Sequence, residues 1–340
     1  MIKVAVVILN WNGERFLEQF LPSLIACTTY TGAEIIIADN ASTDGSLSFL
    51  RANYPALRTI VLDQNYGFAG GYNKALEQID AEYFVLLNSD VEVTPGWLDS
   101  LMGYMEVNPS VAACQPKIKA FSSKNKFEHA GAAGGFIDYL GFPFCRGRVF
   151  AHVEEDKGQY DEVVDVFWAS GACLLIRASI YNKVGGLDEV FFAHMEEIDL
   201  CWRLNARGYR VVCVPQSTVY HVGGGTLNVE SPRKTYLNFR NNLLMLYKNL
   251  PQQSLDFVLR WRKVLDYVAA AQLYVTGKKA NAAAVLQARK DFVKMKSDFL
   301  AKRNDNLLHA TQTNCSEMLS KSILIAYYLK KNRTYSTIVN

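Results

Sequence analysis

The chain has 340 residues, half of them hydrophobic, 20% charged and 12% aromatic. That balance excludes a disordered chain, a collagen-like repeat and a small disulfide-stapled fold, and the length suits about two units or one large domain with an appendage. The formal charge of +3 averages two unlike parts: residues 1–235 carry 19 Lys/Arg against 27 Asp/Glu, a balance of −8, and residues 236–340 carry 17 against 6, a balance of +11. Such asymmetry points to surfaces with different partners.

In chain order, the first half alternates short β-branched runs with helical patterns. Strands are expected over Val4–Leu9, Glu34–Ala38, Thr59–Leu62 and Tyr83–Leu87. Helices are expected over Phe16–Ile25, Leu47–Ala52, Phe68–Gln78 and Trp97–Val107. Continuous apolar strands separated by helices predict βαβ units and a mostly parallel sheet covered on both faces. Residues 120–165 read as irregular, rich in Gly and aromatics, with an acidic stretch at Glu154–Asp156. Val163–Trp168 and Ala172–Arg177 read as strands, Ile198–Ala206 as a helix stopped at Gly208, and Arg210–Val214 as a further strand. From Tyr236 long helices take over, so the expected division is a catalytic unit over 1–235 and a basic helical region over 236–340.

The cysteines, seven in number, show no Cys-x-x-Cys and no zinc-like spacing, and several sit inside apolar runs. They read as free thiols in a reducing compartment. Met1–Leu9 ends at Asn10-Trp11-Asn12 with no small-residue cleavage site, so it reads as a first strand rather than a signal peptide. No apolar run approaches the ~20 residues of a membrane span. The expected location is cytoplasmic, with contact at the inner face of the cell membrane.

Ligands of such sheets bind beyond the carboxyl ends of the strands, and four strand ends carry polar clusters: Leu9–Gly13, Ala38–Ser46, Gln64–Asn73 and Leu87–Asp90. Each alone is ordinary turn chemistry. In register they form one polar crevice. A dinucleotide fold needs Gly-x-Gly-x-x-Gly in its first strand-to-helix turn, and Asn10–Arg15 holds a single glycine. A diphosphate bound here must be neutralised otherwise, and Asp90 points to a divalent cation, Mg²⁺ or Mn²⁺, completed by phosphate oxygens and water.

The combination of Val7–Asn12, Asp39–Ser46, Asn65–Asn73, Asn88–Asp90, His194–Arg203 and His221–Thr226 resembles the family 2 glycosyltransferases, in particular their rhamnosyltransferase-like branch. The resemblance spans about residues 3–230. It implies a GT-A fold (an α/β, Rossmann-like architecture) with a C-terminal helical extension, a dTDP- or UDP-linked sugar donor, and transfer with inversion. It further implies that Leu9, Asn10, Asn12, Asp39 and Asn40 contact base and ribose, and that Asn65, Gly67, Gly70 and Asn73 lie beside the nucleotide. Asn88-Ser89-Asp90 stands where the family has Asp-x-Asp, with Asn88 bonding the donor and Asp90 and His221 holding the metal. Glu197 matches the family's catalytic base although Asp is usual there, with Glu196 the fallback. Trp168 and Gly171 line the donor and acceptor pocket, although Trp168 reads equally as a core residue.

Asp199 and Arg203 read as a structural i,i+4 pair. In the C-terminal part, Arg240, Lys248, Arg260, Arg262 and Lys263 interleave with apolar positions, and Ile323–Leu329 precedes Lys330-Lys331-Asn332-Arg333. Two readings stand: helices packed on the catalytic unit, or an interfacial surface for anionic lipid beside a glycan or lipid-linked acceptor. No nucleic acid is expected. Processive synthases of this family carry Gln-x-x-Arg-Trp. Phe257 stands where that Gln would fall before Arg260-Trp261, so single-sugar, non-processive transfer for cell-surface polysaccharide is expected. The alternative is a catalytically inactive GT-A module that binds nucleotide sugar or serves as a scaffold.

Overall fold

The structure, a computed structural model, describes residues 2–128, 131–223, 231–312 and 315–339. In chain order it runs β1 (Ile2–Asn10), α1 (Glu14–Cys27), β2 (Ala33–Asp39), α2 (Ser46–Asn53), β3 (Arg58–Val61), α3 (Gly67–Leu76), β4 (Ala81–Asn88), β5 (Val91–Val93), α4 (Trp97–Val107) and β6 (Val111–Ala120). Short strands follow: β7 (Ser123–Phe127), β8 (Gly135–Asp138), β9 (Pro143–Cys145), β10 (Arg148–Val149), β11 (His152–Val153) and β12 (Val164–Asp165). Then come β13 (Cys173–Arg177), α5 (Ala178–Lys183), α6 (Glu196–Ala206) and β14 (Arg210–His221). The last part holds α7 (Pro232–Asn249), α8 (Gln252–Val275), α9 (Lys279–Met295), α10 (Leu300–His309), β15 (Met318–Leu319) and α11 (Tyr335–Val339).

The main sheet has the order β12-β14-β6-β13-β4-β1-β2-β3, with β5 on β14 and β7 on β6. β1 pairs in parallel with both β2 and β4, and its Val4–Ile8 run is buried on both faces. Val4, Val6 and Ile8 pack with Leu17, Leu21, Leu50 and Trp97 of α1, α2 and α4 on one side. Ala5 and Val7 lie in the other core with Ala69 and Tyr72 of α3. Alternation within an apolar strand therefore serves two cores, as a doubly covered sheet requires.

The same register aligns the strand ends: Asn10 lies opposite Asp39, and Leu9 opposite Asn88. β13 enters antiparallel beside β4, and the Asn88 N–H donates to the Ala172 carbonyl at 3.0 Å. The start of β13 thus shares the edge where the parallel strands end.

Three local expectations are revised. β14 continues to His221 rather than stopping at Val214, because a register shift between Val214 and Thr218 absorbs Pro215 and lets pairing with β6 resume. Val163–Trp168 pairs as a strand only at Val164–Asp165, with Trp168 making an isolated bridge to Gly135. The irregular 120–165 stretch supplies four strands of a second sheet, β11-β10-β9-β8-β15.

The chain's end returns to that second sheet. β15 pairs in parallel with β8, and the Tyr335 ring lies 5.0 Å from Phe136. α7 starts at Pro232, with the Ser231 hydroxyl accepting from the Lys234 N–H at 3.1 Å. Its inner face buries Leu243, Leu244 and Leu246 in the main core. Of the five basic residues expected at an interfacial surface, Lys248 and Arg262 are buried in ion pairs, and Arg240 donates to the Val190 carbonyl. Arg260 and Lys263 are exposed. No helix among the described residues is long and apolar enough to cross a membrane. All seven cysteines are described and unbridged.

Candidate functional site

At the end of β1, Asn10 is buried. Its amide donates to Asp39 Oδ2 at 3.1 Å and to Ser42 Oγ at 3.2 Å. Asp39 Oδ1 in turn accepts from the Ser42 N–H at 2.9 Å. Asn12, at φ +50°, accepts from the Thr43 N–H at 2.7 Å. The first two strand ends are thereby tied into one rigid cradle.

Asn40 extends that cradle to the third strand end. Its amide donates to Asn65 Oδ1 and to the Gly67 carbonyl, and its own carbonyl oxygen accepts from the Tyr66 N–H. Gly67, at φ +72°, faces Phe192, and a Cβ there would sit 2.6 Å from the Phe192 carbonyl oxygen. Only glycine fits that approach. Gly70 lies one turn further along α3, and Gly71 packs against the Leu9 side chain. The Asn73 side chain bonds the Leu187 backbone and Tyr181, so it anchors α3 to the 187–189 segment.

The fourth strand end builds the candidate cation position. After Asn88 and Ser89 the chain turns at Asp90 into β5, whose Val91 pairs with His221 of β14. That pairing brings His221 Nε2 within 3.1 Å of Asp90 Oδ1, and Asn88 Nδ2 within 3.4 Å of the same nitrogen. On its other side, His221 Nδ1 lies 3.3 Å from Glu128 Oε2. Burial alone would lower the histidine's pKa, but Asp90 and Glu128 reverse this and hold it up at about 10; a cation on Nε2 would take the place of that proton. A carboxylate oxygen and an imidazole nitrogen in contact suit a hard or borderline divalent cation. No cluster of three or more metal-ligating side chains occurs among the described residues, so a cation held by Asp90 and His221 would need ligands beyond these two side chains. Gly224, Gly225 and Thr226 of the histidine motif lie outside the described residues.

The acid pair begins α6. The three residues Phe192, His194 and Met195 preceding it have φ of +64°, +71° and +75°, conformations that cost side-chain-bearing residues energy and collect at functional sites. Asn241 of α7 holds this bend: its amide donates to the carbonyls of Phe191, Ala193 and His194 at 2.9, 2.9 and 2.7 Å. Glu196 is buried and Glu197 half-buried, and an Oε2 of each lacks a hydrogen-bond partner. Burial raises both carboxyls. Glu197 is pushed up to about 7, and Glu196 is driven further by the neighbouring Glu197 charge. Gly171 places the edge of β13 beside them, since a Cβ there would lie 3.9 Å from Glu197 Cβ and 2.8 Å from the Phe68 ring. Trp168 turns away: it is buried, its ring covers Gly135, and its Nε1 donates to the Phe136 carbonyl at 3.0 Å.

The sequence reading missed Glu128, Asn241 and Gln115, whose Oε1 accepts from the Ser170 N–H at 2.9 Å. Glu128 and Gln115 sit in a stretch whose strands were not legible. Asn241 carried a signal, being polar between apolar helical positions.

The Asp39 cradle, the Asp90–His221 contact and the acid pair lie along one sheet edge, in the GT-A architecture of nucleotide-sugar transferases. The fold matches TarS residues 1–349 of S. aureus with UDP-GlcNAc, at TM-score 0.56 and 16% identity over 89% of each chain. It also matches GalNAc-T7 with UDP, GalNAc and Mn²⁺, at TM-score 0.57 and 15% identity over 92% of this chain and 58% of that one. The model for "Glycosyl transferase family 2" matches residues 5–185, and the chain belongs to that family, in its rhamnosyltransferase-like branch. The N-acetylglucosaminyl-diphospho-decaprenol L-rhamnosyltransferase of Mycobacterium tuberculosis is 30% identical over 64% of this chain and 75% of its own length. Rhamnosyltransferase WbbL of Escherichia coli K12 is 26% identical over 64% of this chain and 83% of its own. The O-antigen biosynthesis protein RfbC of Myxococcus xanthus is 29% identical over 64% of this chain and 17% of its own. The chain is a glycosyltransferase.

Proposed function

We propose that this enzyme moves one sugar, with inversion, from a dTDP- or UDP-linked donor to a glycan or lipid-linked acceptor in cell-surface polysaccharide synthesis. The observation that carries the reading is the pair of unpaired, burial-raised carboxylates of Glu196 and Glu197, set beside Gly171 at the edge where Asp90 meets His221. The rhamnosyltransferase names of the relatives support rhamnose as the sugar, and the decaprenol-linked substrate in one of those names supports a lipid carrier.

In this mechanism Asp39 and Asn10 hold the base and ribose, and Asn88 and Ser89 approach the diphosphate. Asp90 and His221 hold Mg²⁺ or Mn²⁺, which when bound offsets charge on the departing diphosphate. The acceptor oxygen bonds to the anomeric carbon as the bond to the diphosphate oxygen breaks. The diphosphate leaves with that electron pair, and the acceptor's proton passes to Glu197 Oε2. Asn241 and the strained 192–195 bend keep Glu197 in place. Glu197 rather than Glu196 is the base because it is the more accessible of the two.

Access to a lipid-linked acceptor is assigned to the exposed tip formed by Ile325, Tyr328 and Leu329, followed by Lys330 and Lys331. The Tyr328 ring lies 5.6 Å from Phe150, next to the second sheet. An apolar tip with a basic collar suits an anionic membrane surface on the cytoplasmic side. The test is a panel of nucleotide sugars offered with Mn²⁺ and a polyprenyl-diphosphate-linked sugar. Transfer of one sugar with inverted anomeric configuration supports the reading, and retained configuration or polymer formation contradicts it.

A further inference from the structure

α8 buries one face and leaves the opposite one bare. The buried positions are Leu255, Val258, Arg262, Asp266 and Ala270. The bare face carries Phe257, Trp261, Val264, Val268, Ala271 and Val275, all exposed, with Trp261 at 49%, Val268 at 59% and Val275 at 80%. These six follow one another at intervals of four, three, four, three and four residues. That is a heptad seam with an apolar residue every 3.5 positions, the spacing that keeps one helix in continuous contact with another.

With Tyr267 and Tyr274 at its margin, the face exposes roughly 700 Å² of side-chain surface, taking ~150–250 Å² for a whole aromatic side chain. A monomer's largest apolar patch is typically ~300–600 Å², and a stable dimer buries ~800 Å² per partner. The patch is therefore on the scale of an interface.

The order of side chains selects the occupant. We infer that α8 is the dimer contact of this enzyme, pairing antiparallel with α8 of a second copy about a two-fold axis at Asp266. This register sets Phe257 against the second copy's Val275, Trp261 against its Ala271, and Val264 against its Val268. Each of the bulkiest residues meets a smaller one, whereas a parallel pair would set Trp261 on Trp261. The same symmetry brings Arg260 of each copy over Tyr274 of the other, a cation–π contact, and a self-complementary patch is what a two-fold interface requires. A bilayer fits less well. Helices lying in a lipid interface carry cations along the polar margins of the apolar face, whereas Arg260 and Lys263 flank one margin only, the other being Ser254, Leu265, Ala269 and Gln272.

The test is sedimentation equilibrium of the full chain at tens of micromolar, with flotation on anionic vesicles in parallel. The expected mass is twice the 38.2 kDa of one chain. Val264→Glu, which sets like charges near the axis, should weaken the dimer by an order of magnitude or more while leaving the circular dichroism unchanged. Under oxidation, the double variant Trp261→Cys with Ala271→Cys should cross-link between copies and Trp261→Cys alone should not. A monomer, with or without vesicle binding through this face, overturns the inference. So does a dimer indifferent to Val264→Glu, or one in which Trp261→Cys cross-links to itself.

Discussion

Two acidic environments sit three residues apart on α6, and they titrate in opposite directions. Glu196, buried, and Glu197, half-buried, begin the helix with unpaired oxygens and raised pKa values. Asp199 is buried as well, but its carboxylate accepts from Arg203 at 2.9 Å, Lys248 at 2.8 Å and Asn249 at 2.8 Å. Burial pushes it up, Lys248 and Arg203 pull it down, and the pull wins. Lys248 also meets Asp188, which Lys302 reaches from the other side. Those two lysines overcome burial to hold Asp188 at about 2. The lesson is that burial does not by itself make a carboxylate reactive. The paired group locks α6 onto α7, and the unpaired groups remain available for a proton.

That contrast breaks most sharply at Glu197. Glu197→Gln should reduce transfer by ~10²–10⁴-fold, the usual contribution of a general base, with donor affinity kept. Its thermal midpoint at pH 8 should match or exceed wild type, because a carboxylate with a raised folded-state pKa costs stability above that pKa. Turnover kinetics and a melting curve on one preparation check both halves.

Lys248→Met should do the reverse. It strands Asp188 and Asp199 as buried charges without their shared partner, at ~3–5 kcal/mol, readable by urea titration. The acid limb of wild-type stability belongs to the same network. Depressed aspartates contribute fully above their unfolded value of ~3.9, and that contribution fades as the pH falls towards about 2. Asp90→Asn should weaken Mn²⁺ binding by at least ~10-fold, the scale on which even supporting partners of a metal ligand count. Mn²⁺ titration followed by electron paramagnetic resonance reads this directly. Gly171→Ala is the mildest, at ~1–3 kcal/mol for overpacking, since the new methyl meets the Phe68 ring at 2.8 Å. A urea titration reads that loss.

The parallel strands and their helices were legible because each buries a continuous apolar run or a helical stripe, and α4 falls at its expected Trp97–Val107. The polar strand ends were legible because the parallel register collects them at one edge. What lay hidden depends on non-local pairing. Strands of two to five residues between 123 and 165 have no periodicity to read, so Glu128 beside His221 left no mark. Lys248 read as a surface cation because its carboxylate partners lie 60 and 49 positions earlier. Trp168 read in sequence either as a lining of the pocket or as a core residue, and in the fold its ring packs on Gly135.

In the proposed mechanism Glu197 is a base raised by burial rather than an ordinary surface carboxylate, and the pH dependence of kcat/KM for transfer tests this most directly. A base must be ionised to act, so the rate should be full above about 7 and fall roughly tenfold per pH unit below it. A rate that stays level down to the ordinary glutamate value of ~4.3 would contradict the assignment.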